Sequence, residues 1–375
     1  MAVVLVLASL PASLRNFRGP LIEKLSDLGH TVHAAAPDLL QDRTTYQWLD
    51  DRGVKCHSVP LSRAGIRPTT DLQTLFVLRR LMAKLRPDLF LGYTIKPVIW
   101  GLIAARMSGV SHRVALITGL GYAFTGDARG KRALIQRFAR SLYKQAFKGA
   151  SLVFFQNPDD HEVFHEMGLL PKGTRVAVVN GSGVDTDIYA PARLPEGPAR
   201  FLLIARLLGD KGIREYVAAA RSLRKEWPHA EFHLVGGLDS NPDGIRQHEV
   251  QQWHDDQDIV WHGALSDVRP AIASTQVYVL PSYREGTPRT VLEAMSMGRP
   301  VVTTDAPGCR ETVQNGVNGF LVPVRDTFSL AAAMEKFLLE PDLIDYMGQK
   351  SRQIAEEKYD VHKVNAAMIE AMGLS

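Results

Sequence analysis

Val277-Tyr278-Val279-Leu280-Pro281-Ser282-Tyr283-Arg284-Glu285-Gly286-Thr287-Pro288-Arg289-Thr290-Val291-Leu292-Glu293-Ala294-Met295 is the most informative stretch of this 375-residue chain. Its first four residues form a β-branched and aromatic apolar run, the composition of a buried strand. Thr287 then reads as a helix N-cap and Pro288 as the first helical residue, because proline's fixed φ and missing donor suit that site. The stretch is therefore strand, loop, helix, with Glu285 in the loop at the strand's carboxyl end. Glu293 falls about six residues into the helix, roughly 9 Å along its axis at 1.5 Å per residue.

The same rhythm runs outward in both directions. Short apolar runs at Val3 to Leu10, Thr31 to Ala36, Lys55 to Leu61, Leu89 to Tyr93, Arg113 to Thr118, Leu152 to Gln156 and Val176 to Val179 alternate with amphipathic segments. After Asp187 to Pro198, whose three prolines read as a linker, it resumes at Arg200 to Ala205, Glu231 to Val235, Ile259 to His262, Val277 to Leu280, Val301 to Thr304 and Phe320 to Val322. Strands separated by helices predict parallel sheets covered on both faces. The expected fold class is α/β, with two doubly wound Rossmann-like domains facing across a cleft, and ligands of such sheets bind beyond the strands' carboxyl ends. The expected boundaries are 1–186 for the first domain, 187–198 for the linker and 199–358 for the second domain. Helices at Leu343 to Tyr359 and Val361 to Met372 close the chain, with 359–375 as a separate C-terminal helix.

Composition excludes several classes. Hydrophobic residues at 45% and charged residues at 22% describe a folded globular chain, which rules out collagen, coiled coil and extensive disorder. Cys56 and Cys309, far apart, match neither a disulfide scaffold nor a metal spacing, so a reducing compartment is expected. No apolar run approaches the ~20 residues of a spanning helix, and Val3 to Leu10, lacking a basic leader, reads as a first strand and not a signal peptide. Charge is unevenly spread: residues 1–180 hold 24 Lys and Arg against 13 Asp and Glu, although the whole chain is only +4. Within the basic segment 129–148, Arg137, Arg140, Lys144 and Lys148 recur every three or four residues, interleaved with Leu134, Ile135, Phe138, Leu142 and Phe147. Such a helix suits an anionic membrane surface, or equally packs its apolar face on its own sheet. Nucleic acid is not expected, since no recognition motif accompanies the charge.

Several motifs fail on context. His161-Glu162-Val163-Phe164-His165 matches H-E-x-x-H, but Asn157-Pro158 starts a helix just before it and no third ligand follows at a familiar spacing, so no metal is expected. Gly181-Ser182-Gly183 and Gly119-Leu120-Gly121 each lack the third glycine of a dinucleotide fingerprint, and neither a P-loop nor a G-x-S-x-G elbow occurs. The constellation that remains is Glu285 and Glu293, able to grip hydroxyls at opposite ends of an elongated polar ligand, with free N–H groups at the helix start between them. Arg206, at the end of the run Arg200 to Ala205, and Lys211, opening the next helix, supply positive charge on the same rim and could neutralise a diphosphate. A nucleotide diphosphate sugar fits this description.

The pair Arg206 and Lys211, the E-x7-E spacing of Glu285 and Glu293, and the following Gly298-Arg299-Pro300-Val301-Val302 and Ala306-Pro307-Gly308 resemble the retaining glycosyltransferases of family 4. The resemblance implies the GT-B architecture, with the last helix crossing back to the N-terminal domain. It implies that Arg206 and Lys211 hold the diphosphate, that Glu285 contacts the transferred sugar and Glu293 the ribose, and that Gly286, Thr287, Pro288, Arg289 and Thr290 complete the donor site. Asn16-Phe17-Arg18, Thr94-Ile95-Lys96-Pro97 and Ile117-Thr118-Gly119-Leu120-Gly121-Tyr122 are similar to the branch that extends polyprenyl-diphosphate-linked sugars in bacterial glycan assembly. That likeness puts Asn16, Arg18, Lys96, Thr118, Gly119 and Gly121 on the acceptor side. The implied activity is a hexosyltransferase moving a hexose or N-acetylhexosamine from a UDP-sugar, with no cofactor or metal, peripheral on the inner face of the cytoplasmic membrane. Domain closure is expected to exclude water. One departure stands out: many relatives use an N-terminal-domain histidine near the donor sugar, whereas 118–126 contains none and His112 precedes its strand. The competing readings are a sugar-nucleotide epimerase of the same architecture, which needs no acceptor, and a non-catalytic sugar-nucleotide-binding protein.

Overall fold

A computed structural model describes residues 1–62, 68–120, 131–239, 241 and 243–375. The chain divides into two compact units, Met1–Ser182 with His362–Ser375, and Gly183–Val361.

In the first unit the order is β1 (Val3–Leu7), α1 (Pro11–Asp27), β2 (Thr31–Ala36), α2 (Arg43–Asp50), β3 (Lys55–Ser58), α3 (Pro68–Leu85) and β4 (Leu89–Tyr93). It continues through α4 (Ile95–Met107), β5 (His112–Ile117), α5 (Lys131–Phe147), β6 (Leu152–Phe155), α6 (Pro158–Glu166) and β7 (Arg175–Val178). Among the described residues these strands form one parallel sheet ordered β3-β2-β1-β4-β5-β6-β7. The burial of each strand follows its place: all of β4 and β6 is buried, whereas the edge strands β3 and β7 keep exposed ends. One apolar cluster fills each face of the sheet.

The second unit comprises β8 (Arg200–Ile204), α7 (Ile213–Glu226), β9 (Glu231–Val235), α8 (Gln247–Asp255), β10 (Val260–Trp261), α9 (Arg269–Ala273) and β11 (Val277–Leu280). Then come α10 (Arg289–Ser296), β12 (Val301–Thr304), β13 (Gly319–Val322), α11 (Thr327–Leu339) and α12 (Asp342–Ile354), the last widening into a π-turn over Ala355–Tyr359. Its described strands form a second parallel sheet ordered β10-β9-β8-β11-β12-β13. The final helix, α13 (Val361–Met372), buries Met368, Ile369 and Met372 in the first unit's core.

Two expectations need correction. Residues 187–198 do not form a free linker: the chain passes from one unit to the other at 182/183, and the proline-rich segment is bonded to the second unit. Gln276 donates to the carbonyls of Pro195 and Pro198, and the buried Arg299 donates to those of Ala192 and Arg193. Prolines leave carbonyls without ladder partners, and here two side chains supply the donors. Secondly, α10 begins at Arg289, with Pro288 in the N-cap position (φ −73°, ψ 107°) and without a side-chain cap, one residue later than expected.

Candidate active site

The second sheet reverses its strand order between β8 and β11, and the loops that follow β8, β11 and β12 meet at this switch point. After β8 a 3-10 turn over Gly209–Lys211 ends in Gly212, whose φ of +69° starts α7. Only glycine fits there, because a Cβ would stand 2.1 Å from the carbonyl oxygen of Pro281. That close approach sets Lys211 against the loop after β11. Its Nζ donates to Glu285 Oε1 at 2.5 Å, with the two side chains only 15% and 17% exposed. Burial pulls the lysine's pKa down, yet the adjacent Glu285 outweighs it and holds the ammonium above its ordinary range.

Asp210 anchors the same corner. Its carbonyl accepts from Tyr283 N–H at 2.8 Å and its own N–H donates to Asp243 Oδ2 at 2.9 Å. Burial pushes the Asp210 carboxyl up, opposed by Lys211 and Arg206 and reinforced by Glu285 and Asp243. Arg206 therefore lies in the same electrostatic neighbourhood as Lys211 and Glu285, although its Nη1 is bonded to Asp239 Oδ2 at 2.8 Å and 57% of its side chain is exposed. Tyr283 donates to Glu215 at 2.5 Å and stacks beneath the Arg325 guanidinium, 4.6 Å from its ring centre.

Glu293 is at the other end of the expected donor site. It is buried, paired with Arg289 one turn earlier at 2.9 Å and hydrogen-bonded by Tyr189, and burial raises its carboxyl against both partners. Tyr278, from β11, neighbours both ends: its hydroxyl is hydrogen-bonded with Thr290 Oγ1 at 2.7 Å and with the Ile204 carbonyl at 3.1 Å, and burial, with both Glu293 and Glu285 adding to it, suppresses its ionisation. So Lys211 and Glu285 touch, Arg206 shares their field, and Glu293 and Glu285 both act on Tyr278. Tyr189, Asp210, Asp239 and Ser282 complete the arrangement; sequence reasoning missed them, and only Asp210, beside Lys211, carried a local signal.

The residues expected on the acceptor side belong to the first unit. Arg18 is buried with its guanidinium 5.4 Å from the Tyr93 ring centre, and the Tyr93 hydroxyl meets Ser13 Oγ at 2.8 Å. Lys96 opens α4, where its Nζ donates to Asp71 at 2.7 Å and to Ser62 at 2.6 Å. Asn16 is exposed and accepts from Arg15. Thr118 and Gly119 follow β5, while Gly121 lies outside the described residues. A concavity of about 470 Å³ at the ends of β1, β2 and β3 is lined by Ser9, Pro11, Asp38, Gln41 and Leu61 among others.

Two further features resolve in structure. Asn157 caps α6 by accepting from Asp160 N–H, His161 packs on Phe155, and its ring lies 6.4 Å from that of His165; among the described residues no group of three or more potential ligands could hold a metal ion. In α5, Tyr143 and Phe147 are buried against Phe164, whereas Arg137, Lys144 and a 46%-exposed Phe138 face outward, as does Lys148 just past its end. The helix thus packs on its own core and presents a basic surface as well; Arg129 lies outside the described residues.

Comparison with known proteins bears on the whole chain. Residues 17–181 match the family model described as "Glycosyl transferase 4-like domain", and residues 198–340 match "Glycosyl transferases group 1". The chain is 30% identical over 345 residues to the N,N'-diacetylbacillosaminyl-diphospho-undecaprenol alpha-1,3-N-acetylgalactosaminyltransferase of Campylobacter jejuni, covering 88% of each chain. It is 24% identical over 329 residues to the UDP-Gal:alpha-D-GlcNAc-diphosphoundecaprenol alpha-1,3-galactosyltransferase of Escherichia coli, covering 84% of this chain and 82% of that one. In fold it is similar to sucrose-phosphate synthase from Thermosynechococcus elongatus, with a TM-score of 0.82 at 18% identity over 99% and 98% of the two chains. It is also similar to the Anabaena protein HepE solved with UDP and glucose, with a TM-score of 0.78 at 19% identity over the full length of both. Two parallel doubly wound units, a Lys–Glu pair at the second unit's switch point and these matches along nearly the whole sequence establish that the chain belongs to the GT-B glycosyltransferases of the group 1, 4-like type.

Proposed function

We propose that this glycosyltransferase moves a hexose or N-acetylhexosamine from a UDP-sugar to a polyprenyl-diphosphate-linked sugar, with retention of anomeric configuration and without a metal ion. The observation that carries the reading is the contact between Lys211 and Glu285 at the carboxyl ends of β8 and β11. A cation for a phosphate and a carboxylate for sugar hydroxyls, held together, suit the ester linkage of a sugar diphosphate. Support for the acceptor comes from the two relatives named for diphosphoundecaprenol-linked substrates, and support for UDP from the donor named for the Escherichia coli relative.

Cleavage of the donor leaves negative charge on the outer phosphate. Lys211, kept charged by Glu285, and the exposed Arg206 stabilise that charge as it develops. Glu285 orients the departing sugar by accepting from its hydroxyls. The acceptor hydroxyl attacks from the leaving-group face, and the released phosphate oxygen takes its proton, so no enzyme nucleophile is needed. Glu293 accepts from the ribose, with Gly286 to Thr290 lining the donor between the two carboxylates.

A lipid-linked acceptor demands that the enzyme work at a bilayer surface, on the cytoplasmic side where nucleotide sugars are made. No helix among the described residues is long and apolar enough to cross a membrane. The outward face of α5 offers a peripheral contact, and the same chemistry continues beside it. Helix α4 packs between α3 and α5, and α3 exposes Leu72 and Phe76 followed by Arg79, Arg80 and Lys84. The only acid in the three helices, Asp71, is buried against Lys96.

The test is an assay of the purified enzyme with a panel of UDP-sugars and undecaprenyl-diphosphate-linked acceptors. Product forms only when donor and acceptor are both present, chelator leaves the rate unchanged, and Glu285→Gln or Arg206→Ala each lowers kcat about a hundredfold or more. Conversion of the donor with no acceptor present, or near-normal turnover in both variants, overturns the proposal.

A further inference from the structure

Glu285 Oε1 accepts from two donors at once: Lys211 Nζ at 2.5 Å and Ser282 Oγ at 2.8 Å. The two differ in character. Lys211 ends a flexible four-carbon stem, and in the proposed function it must turn toward the donor's phosphate. Ser282 is fully buried on a short side chain, and its backbone is fixed. Its carbonyl accepts from the Thr304 hydroxyl, with the Cys309 thiol 3.9 Å away, while Thr303 Oγ1 bonds the Leu280 carbonyl at 2.6 Å.

The main chain of Glu285 is held as firmly. Its N–H donates to the Pro307 carbonyl at 2.9 Å, and Gly308 (φ +81°) approaches so closely that a Cβ would stand 2.2 Å from the Glu285 carbonyl oxygen. The Ala306-Pro307-Gly308 turn is therefore a mould for the Glu285 backbone. It leaves the carboxylate's terminal torsion, which has broad and shallow wells, to be set by hydrogen bonds.

We propose that Ser282 is a positioning residue for Glu285. Its hydroxyl fixes one carboxylate oxygen so that the carboxylate keeps its orientation when Lys211 exchanges its bond to Glu285 for one to the donor's outer phosphate. The proposal rests on the reading that Glu285 contacts the transferred sugar. Without the hydroxyl, the carboxylate loses a buried anchor just as the donor draws Lys211 away. The nucleotide itself is held by Arg206, Lys211 and Glu293, none of which depends on Ser282 for its partners.

Transfer kinetics and UDP binding of Ser282→Ala, Ser282→Cys, Glu285→Gln and the Ser282→Ala/Glu285→Gln double variant test this. Ser282→Ala is expected to lower kcat by about 10- to 100-fold, the range of one hydrogen bond to a charged group, with the Kd for UDP changed less than about threefold. Ser282→Cys, with similar volume and a weaker donor, recovers part of the rate. In the Glu285→Gln background, Ser282→Ala adds no further loss, because the hydroxyl acts only through that carboxylate. Unchanged kcat in Ser282→Ala, a parallel loss of UDP affinity, or additive losses in the double variant would each overturn the role. Near-normal transfer by Glu285→Gln defeats instead the reading on which it rests.

Discussion

Arg299 is 1% exposed, yet its guanidinium finds donors' work on every side, bonding the carbonyls of Ile272, Ala273, Met297, Ala192 and Arg193. Among the described residues no carboxylate is paired with it, and burial pulls its pKa down to about 10. The residue binds the segment before β8 to the ends of α9 and α10, so its place in the family-like Gly298-Arg299-Pro300 run is structural. Replacing it by Met leaves five carbonyls without their donor and is expected to cost about 3–5 kcal/mol in urea unfolding. Lys fares little better, lacking the planar fork. A loss below about 1 kcal/mol in Arg299→Met would show that the clamp contributes little. The contrast with Glu285 explains what single residues reveal. Glu285, Lys211 and the glycine between strand and helix announce themselves because their chemistry is unusual where they stand. Ser282, Tyr189 and Arg299 look ordinary in sequence; their roles depend on which carbonyl or carboxylate a distant turn brings within 3 Å.

Elements were legible where composition changes sharply at both ends. The runs Thr31 to Ala36, Leu89 to Tyr93, Glu231 to Val235, Val277 to Leu280 and Val301 to Thr304 match β2, β4, β9, β11 and β12 residue for residue. Each is mainly apolar, short and followed by Pro, Thr, Gly or Asp, where the apolar run ends at a definite point. Segment 187–198 was misread because proline marks the end of a helix or strand and says nothing of what the freed carbonyls then bind. Helix α5 sat between two readings, and burial resolves its faces: Tyr143, Ala146 and Phe147 are inside, while Arg137, Lys144 and Lys148 are outside with Phe138, and Arg140 is half-buried. The membrane contact is therefore tested on these three exposed cations, Arg137, Lys144 and Lys148, among the described residues. At roughly 1 kcal/mol per charge, Arg137→Ala, Lys144→Ala and Lys148→Ala together should weaken binding to phosphatidylglycerol vesicles by about a hundredfold at low salt. The deficit should shrink as salt rises and screens the wild-type attraction. Sedimentation with such vesicles that finds equal binding at every salt concentration rules out α5 as the contact.

At the scale of the whole molecule, both units carry the same acid-sensitive device. His33, third residue of β2, meets His57 of β3 with ring nitrogens 2.9 Å apart, and His233, third residue of β9, meets His262 after β10 at the same distance. In each pair the rings stack and one donates to the other, which requires a neutral acceptor. Burial lowers all four; His57 falls furthest, to about 4, through burial first and then His33 and Lys84. A folded pKa below the unfolded value near 6.5 means that the unfolded chain binds more protons between the two, so the stabilisation is whole above pH 6.5 and is lost as pH falls toward 4. The shift at His57 corresponds to about 3 kcal/mol, and its half-exposure with solvent screening reduces this to roughly 1–2 kcal/mol. Urea midpoints measured from pH 7.5 to 4 should decline across that window, and His57→Gln, which keeps a neutral hydrogen-bonding side chain at all pH values, should flatten part of the decline. An unaltered slope in His57→Gln would assign the acid sensitivity to other groups. Because the second pair remains, the flattening should be partial, and adding His262→Gln should remove a further share of the slope by a nearly independent amount, since each pair belongs to a different unit.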